Sequence, residues 1–270
     1  MRHYLAVAAW QSWAVLNRHM VVYLRNWHTA ALPPIFEPVI LLLVFGVGLG
    51  SNIPAFDWQA QNVTYLAYLA PGILAYTVFM TAFFQALFAA YIRMHYQKTW
   101  DGQLTTQVRL EHVVWGEALW AATLGLAYAV IVMFVLAGFS IAGWLDLHWS
   151  GVIATLPLLF LAGVAFAALG LLFTAIVPTI DHMNIPFYLV IMPLGFASST
   201  YFPLESDNLL AQAWLVINPL HHLAEGIRLL LLSGVWSFHL MAAVLLLGLM
   251  ILILLPVDLR LLRHRVLGEG

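Results

Sequence analysis

Residues 113–138 read VVWGEALWAATLGLAYAVIVMFVLAG. A single charged side chain, Glu117, stands in a stretch longer than the roughly 20 apolar residues that carry an α-helix across a bilayer. Segments of similar character lie at 34–51, 66–92, 151–177, 184–201 and 238–256, which makes six expected crossings. The first and fifth are short and hold or follow prolines (Pro33, Pro34, Pro38; Pro186, Pro193), so tilts and breaks are expected there. Whole-chain composition agrees: 63% of the 270 residues are apolar and 8% are charged, against about a quarter charged in a soluble domain. The expected fold is an all-α polytopic membrane protein. It comprises an interface segment 1–33, one six-span domain over 34–256 and a tail 257–270. The absence of cysteine excludes disulfides, thiolate nucleophiles and Cys-ligated metal. A net charge of −2 carries no basic excess for nucleic acid.

The few charges orient the spans. Arg2, Arg18 and Arg25 precede the first; Arg93, Lys98 and Arg109 lie between the second and third; Arg260, Arg263 and Arg265 follow the sixth. Nine of the ten cations thus share one side, with Arg228 the exception, while Asp57, Asp146, Glu205 and Asp207 fall on the other. Cytoplasmic loops hold the excess of Lys and Arg, so both termini are expected in the cytoplasm. Gln11, Arg18 and Arg25 recur every seven residues among Tyr4, Leu5, Trp10, Trp13, Leu16 and Tyr23. That is the pattern of a helix lying in the membrane interface, ended by Pro33-Pro34.

Lys98, the only lysine, follows Gln97, so no phosphate-binding G-x-x-x-x-G-K-[ST] loop exists in the chain. Any ATP hydrolysis therefore belongs to a separate subunit, and no bound cofactor is expected here. The connection 93–112 carries the turn Asp101-Gly102 and a candidate short helix from Leu104 to Glu111, with Leu104, Val108 and Leu110 beside Arg109 and Glu111. It reads equally as a docking element or a solvated loop. Glu117 reads either as a contact that transmits motion from this loop or as an interfacial side chain reaching water. Residues 201–235 are too apolar for a loop and too interrupted for a span, which fits two short helices that enter and turn back. Glu225 and Arg228, three apart, can pair on one helix face. His221, His222 and Glu225 invite a metal, but no third ligand is evident and none is assigned. A metal-dependent hydrolase or acyltransferase built on those three is the alternative class, and a non-transporting scaffold is another. Gly163, Ala167 and Gly170 form a seam of small residues suited to close helix packing.

Together these residues resemble the ABC-2 permease family, in the branch of nodulation-factor and drug-export permeases. The resemblance rests on Tyr68-Leu-Ala-Pro-Gly72, Lys98-Thr-Trp-Asp101, Glu111-His-Val-Val-Trp-Gly-Glu117, Phe202-Pro-Leu204 and Asn218-Pro-Leu-His-His-Leu-Ala-Glu-Gly-Ile-Arg228. It implies a bacterial inner-membrane subunit that pairs with a second copy and binds two copies of an ATPase holding ATP and magnesium. It implies an ATPase-coupling role for Lys98, Trp100, Asp101, Leu104, Val108, Arg109, Leu110, Glu111 and Glu117. An outer gate would involve Phe202, Pro203, Asn218, Pro219, His221, His222, Glu225 and Arg228, and the cargo would be an amphipathic lipid, lipid-linked saccharide or drug-like molecule.

Overall fold

The computed structural model describes residues 5–59, 61–204 and 208–268. Arg2, Tyr4, Glu205 and Asp207 lie outside the described residues. Among the described residues, helix α1 (Trp10–Arg25) precedes five helices long and apolar enough to cross a membrane: α2 (Ile35–Asn52), α3 (Tyr65–Tyr96), α5 (Leu110–Ile141), α6 (Trp149–Ile176) and α9 (Phe238–Leu267). A short helix α4 (Thr99–Leu104) links α3 to α5. Helices α7 (Leu209–Ile217) and α8 (Pro219–Ser233) meet at 74°, in keeping with the interrupted sequence of 201–235. A small antiparallel hairpin, β1 (Phe56–Trp58) and β2 (Gln61–Val63), pairs Phe56 with Val63 between α2 and α3.

The fifth expected crossing, 184–201, is not one regular helix. Residues 180–196 fold as consecutive short pieces, Ile180–Met183, Asn184–Pro186, Phe187–Ile191 and Met192–Phe196, which change helical pitch as they go. Pro186 and Pro193 lack the N–H that a continuous α-helix would use.

Hydrogen bonds gather the connections at two ends of the bundle. At one end the Tyr91 hydroxyl donates to the Pro178 carbonyl at 2.8 Å, and Arg265 donates to the carbonyls of Thr174 (2.8 Å) and Val177 (2.6 Å). At the other, the His148 amide donates to Leu231 O (2.8 Å), Gln61 donates to Ser233 (2.9 Å) and Tyr68 donates to Ser199 O (3.0 Å). The chain passes back and forth between these ends, the fifth time through the broken run. The α7–α8 hairpin is seated at the second end.

Small residues let the helices close on each other. A Cβ on Gly163 would lie 2.7 Å from Ala122 Cα, and one on Gly170 would lie 2.6 Å from the Phe83 carbonyl oxygen. Ala167 between them is fully buried. The seam therefore packs α6 against α5 and α3 within the chain. Gly138 has open space around it. Gly163→Leu is expected to destabilise the bundle by about 1–3 kcal/mol through overpacking, whereas Gly138→Leu does not lower the unfolding temperature; thermal unfolding of the purified variants in detergent measures both.

Candidate functional site

One carboxylate organises the end that carries Arg93. Glu117 lies on α5, one turn beyond Val113, with its side chain wholly buried. Arg93, in the last turns of α3, holds both carboxylate oxygens: Nε donates to Oε1 at 3.0 Å and Nη2 donates to Oε2. Trp100 of α4 donates its indole N–H to Oε1 at 2.9 Å and is itself fully buried. His19 of α1 places Nε2 3.3 Å from the same oxygen. A charge that would be costly inside a membrane helix is thus satisfied by three other elements, the arrangement a buried carboxylate requires.

The approach of α1 depends on the neighbouring Gly116. A Cβ there would stand 2.4 Å from Val15 Cγ1 and 3.1 Å from the Ser12 carbonyl oxygen. Ser12, Val15, Leu16 and His19 form the buried stripe of α1, while Arg18 and Arg25 remain exposed. The face that docks on α5 therefore flanks the water-facing polar stripe expected for this helix. The spacing of Ser12, Val15, Leu16 and His19 is the sequence signal for that face, and it is obscured because two of the four residues are polar.

The connecting loop differs from expectation. Its short helix spans Thr99–Leu104, and Leu110 and Glu111 already belong to α5. Lys98 begins the turn with a left-handed backbone, φ +52°, a conformation costing a non-glycine residue about 1–2 kcal/mol; it ends α3 and redirects the chain. Leu104 and Val108 pack against the core and Leu110 is buried, so these apolar residues anchor the loop. The exposed face consists of Lys98, Asp101, Gly102, Thr105, Thr106, Gln107 and Arg109. Lys98 stands 3.9 Å from Asp101, while Glu111 lies between Arg109 (3.9 Å) and Arg263 of α9 (3.6 Å).

At the opposite end, Arg228 on α8 has no exposed surface. It pairs with Glu225 as the spacing predicts, and it donates to the carbonyls of Tyr68 (Nε, 2.9 Å) and Ser199 (Nη2, 3.0 Å). Its guanidinium lies 3.7 Å from the centre of the Tyr68 ring and 5.6 Å from that of Trp58. Asn218 caps α8, accepting from the amides of Leu220 (3.0 Å) and His221 (3.3 Å), and donates to Ala197 O at 3.0 Å. Pro219 follows as the first helical residue, where its missing N–H costs nothing. Phe202 and Pro203 are exposed, and Phe202 stacks on Tyr65 with ring centres 6.0 Å apart. Glu225 pairs with Arg228 through Oε1, and the third member of the cluster around His221 and His222 is His239 of α9. The trio His221, His222 and Glu225 on which the hydrolase alternative stands is therefore not the cluster that forms.

Between α1, α2, α3 and α5 lies a cavity of about 690 Å³. One face of α3 lines it from Ile73 through Tyr76, Met80 and Phe84 to Arg93, and Arg18 and His19 of α1 close the same end as Arg93. Its wall is mostly apolar and aromatic, interrupted by Glu37, Thr77, Thr81 and Gln85, and Arg18 stands at that end beside the Arg93–Glu117 pair. The α2 helix beside it is sparsely covered: 17% of its apolar stretch is buried, against 61% for α3.

The ABC-2 type transporter family model matches residues 11–232. The chain is 33% identical to Nodulation protein J of Rhizobium leguminosarum bv. trifolii over 217 residues, covering 79% of this chain and 81% of the relative. It is 34% identical to Nodulation protein J of Rhizobium leguminosarum bv. viciae (77% and 80%) and 31% identical to that of Sinorhizobium fredii (84% and 84%).

Removing the Glu117 side chain leaves Arg93 without its buried partner. Glu117→Ala is expected to cost about 3–5 kcal/mol, the usual penalty for breaking a buried pair. Arg263→Ala, which removes a partly exposed contact to Glu111, is expected to cost about 0–1 kcal/mol. Denaturant or thermal unfolding of the two variants separates them.

Proposed function

The chain belongs to the ABC-2 type transporter family as a membrane permease, and from that premise we propose that it is the membrane-spanning half of an ATP-driven exporter of amphipathic molecules. The observation that carries this reading is the Glu117 junction. It ties the loop helix α4 to α3, α5 and α1, so a force applied to the exposed face of 98–109 reaches two membrane helices through rigid side-chain contacts.

In this reading the Arg93 end faces the cytoplasm, as the placement of nine cations favours, and a separate ATPase, two copies per assembly, docks on Lys98, Asp101, Thr105 and Arg109. ATP and magnesium are held by that partner. Closure of the ATPases pushes α4, and the junction passes the displacement to the cytoplasmic halves of α3 and α5. Packed helices respond by shifting as bodies rather than by bending locally. The α7–α8 hairpin, fastened by Arg228 to Tyr68 and Ser199, forms the outer gate.

The cavity supports the substrate class. A mostly apolar, aromatic wall that also carries Arg18 and Glu37 matches a lipid-like body with a polar head, such as a lipid-linked saccharide, a lipid or a drug-like amphiphile. Its open side and the poorly covered α2 are consistent with a second copy of the chain completing the path, in a bacterial inner membrane.

Two variants test the division of labour, each co-expressed with the cognate ATPase subunit and reconstituted in proteoliposomes. Asp101→Arg combined with Arg109→Glu is expected to abolish ATPase association without lowering the permease's own unfolding temperature. Trp100→Phe removes the indole N–H donated to Glu117 together with part of the buried ring; it is expected to retain association while ATP hydrolysis loses its response to the permease. Normal association in the first variant and normal stimulation in the second would refute the coupling role.

A further inference from the structure

Two histidines begin α8, and a third begins α9. His221 and His222 follow the Asn218-Pro219 cap, and His239 is the second residue of the last helix. The three rings stand mutually close, with centres 5.2 Å (His221–His222), 5.6 Å (His221–His239) and 5.2 Å (His222–His239) apart. One ring nitrogen from each lies within 4.8 Å of the others.

The hydrogen bonds around the rings select which nitrogens are free. His222 Nε2 is 2.9 Å from the Val216 carbonyl. A carbonyl only accepts, so Nε2 carries the proton and Nδ1 presents its lone pair. That Nδ1 faces His239 Nδ1 at 3.0 Å, so His239 Nδ1 carries the proton it donates, and taking up an ion moves that proton to His239 Nε2. Two nitrogens bound to one tetrahedral zinc at about 2.1 Å stand about 3.4 Å apart, so a few tenths of an ångström of ring movement convert this pair into ligands of one ion. His221 Nδ1 is 2.9 Å from the Ser199 hydroxyl, the ring also meets the Ser198 backbone, and Nε2 is the ligand atom the proposal uses. A carbonyl behind one ligand and a hydroxyl behind another are the supporting contacts that metal-binding imidazoles characteristically have. Ser199 is itself held in a left-handed conformation, φ +55°, and its carbonyl is fixed by Tyr68 and Arg228, so the hydroxyl's position is imposed by the fold.

We propose that His221, His222 and His239 form a binding site for one divalent transition-metal ion of the zinc class, with a fourth position open to water or an external ligand. Imidazole ligands favour zinc, copper and nickel over magnesium or calcium. The ion cross-links the start of α8 to the start of α9 and so fastens the hairpin to the last membrane helix. This site is independent of how the chain couples to ATP.

The test is a titration of the full-length chain, purified in detergent and stripped with chelator, using zinc alone in competition with a chromogenic chelator. One zinc per chain is expected. His239→Ala abolishes stoichiometric binding, His28→Ala leaves it unchanged, and Ser199→Ala, which removes only a supporting hydroxyl, weakens it by about 10-fold. Cobalt in place of zinc is expected to give a visible ligand-field band that His239→Ala loses while its circular dichroism keeps the helical signal. Failure of the wild-type chain to bind one zinc overturns the proposal, and so does a His239→Ala chain that binds as tightly as wild type.

Discussion

A carboxylate placed in a membrane-inserted helix costs on the order of 3 kcal/mol even in the milder insertion measurements, and Glu117 meets that constraint by recruiting partners from elsewhere in the chain. Arg93 arrives from α3, Trp100 from α4 and His19 from α1. Besides their apolar packing, three elements are thereby pinned by polar contacts at one point on α5. Gly116 makes the arrangement possible by letting α1 come close enough for His19 to reach. The end of the bundle is therefore built around an ion pair, with the apolar residues Leu104, Val108 and Leu110 filling in behind it.

The opposite end repeats the principle with the sign reversed. Arg228 is fully buried and is satisfied by Glu225, two backbone carbonyls and the face of Tyr68. It binds the α7–α8 hairpin to the start of α3, the same helix that carries Arg93 near its other end. Helix α3 thus connects the two charged junctions, and one of its faces lines the cavity between them. A displacement of α3 on its axis would be felt at both ends, which gives the proposed transport cycle a physical link between the loop and the gate.

Much of this is legible in the sequence, and the limits follow from where the information lies. Runs of apolar residues disclose membrane helices because each run is local, and the i, i+3 spacing of Glu225 and Arg228 is local too. The partners of Glu117 are not: His19 and Arg93 lie on helices whose relative placement only the fold supplies. Leu104 and Val108, one helical turn apart, together with Leu110 draw the expected loop helix toward Leu104–Glu111; they are apolar because they anchor the loop. The left-handed turn at Lys98, a residue with no special liking for that conformation, carries no sequence signature. Nothing local marks His239 as a companion of His221 and His222, because the rest of α8 and a turn separate them. The hairpin at Phe56–Val63 is too short for alternation to reveal it.

The central claim is that α1 and the loop helix move as one body because both are fastened to Glu117. The chain has no cysteine, so spin labels can be attached cleanly at introduced cysteines replacing Asn17 on α1, Thr105 after α4 and Asn62 at the far end, all exposed positions. Pulsed electron paramagnetic resonance distances would be measured on the permease assembled with its ATPase, with and without trapped ATP. The account predicts an unchanged distance between labels at 17 and 105 together with a shifted distance between labels at 105 and 62. A 17-to-105 distance that changes with nucleotide would contradict it.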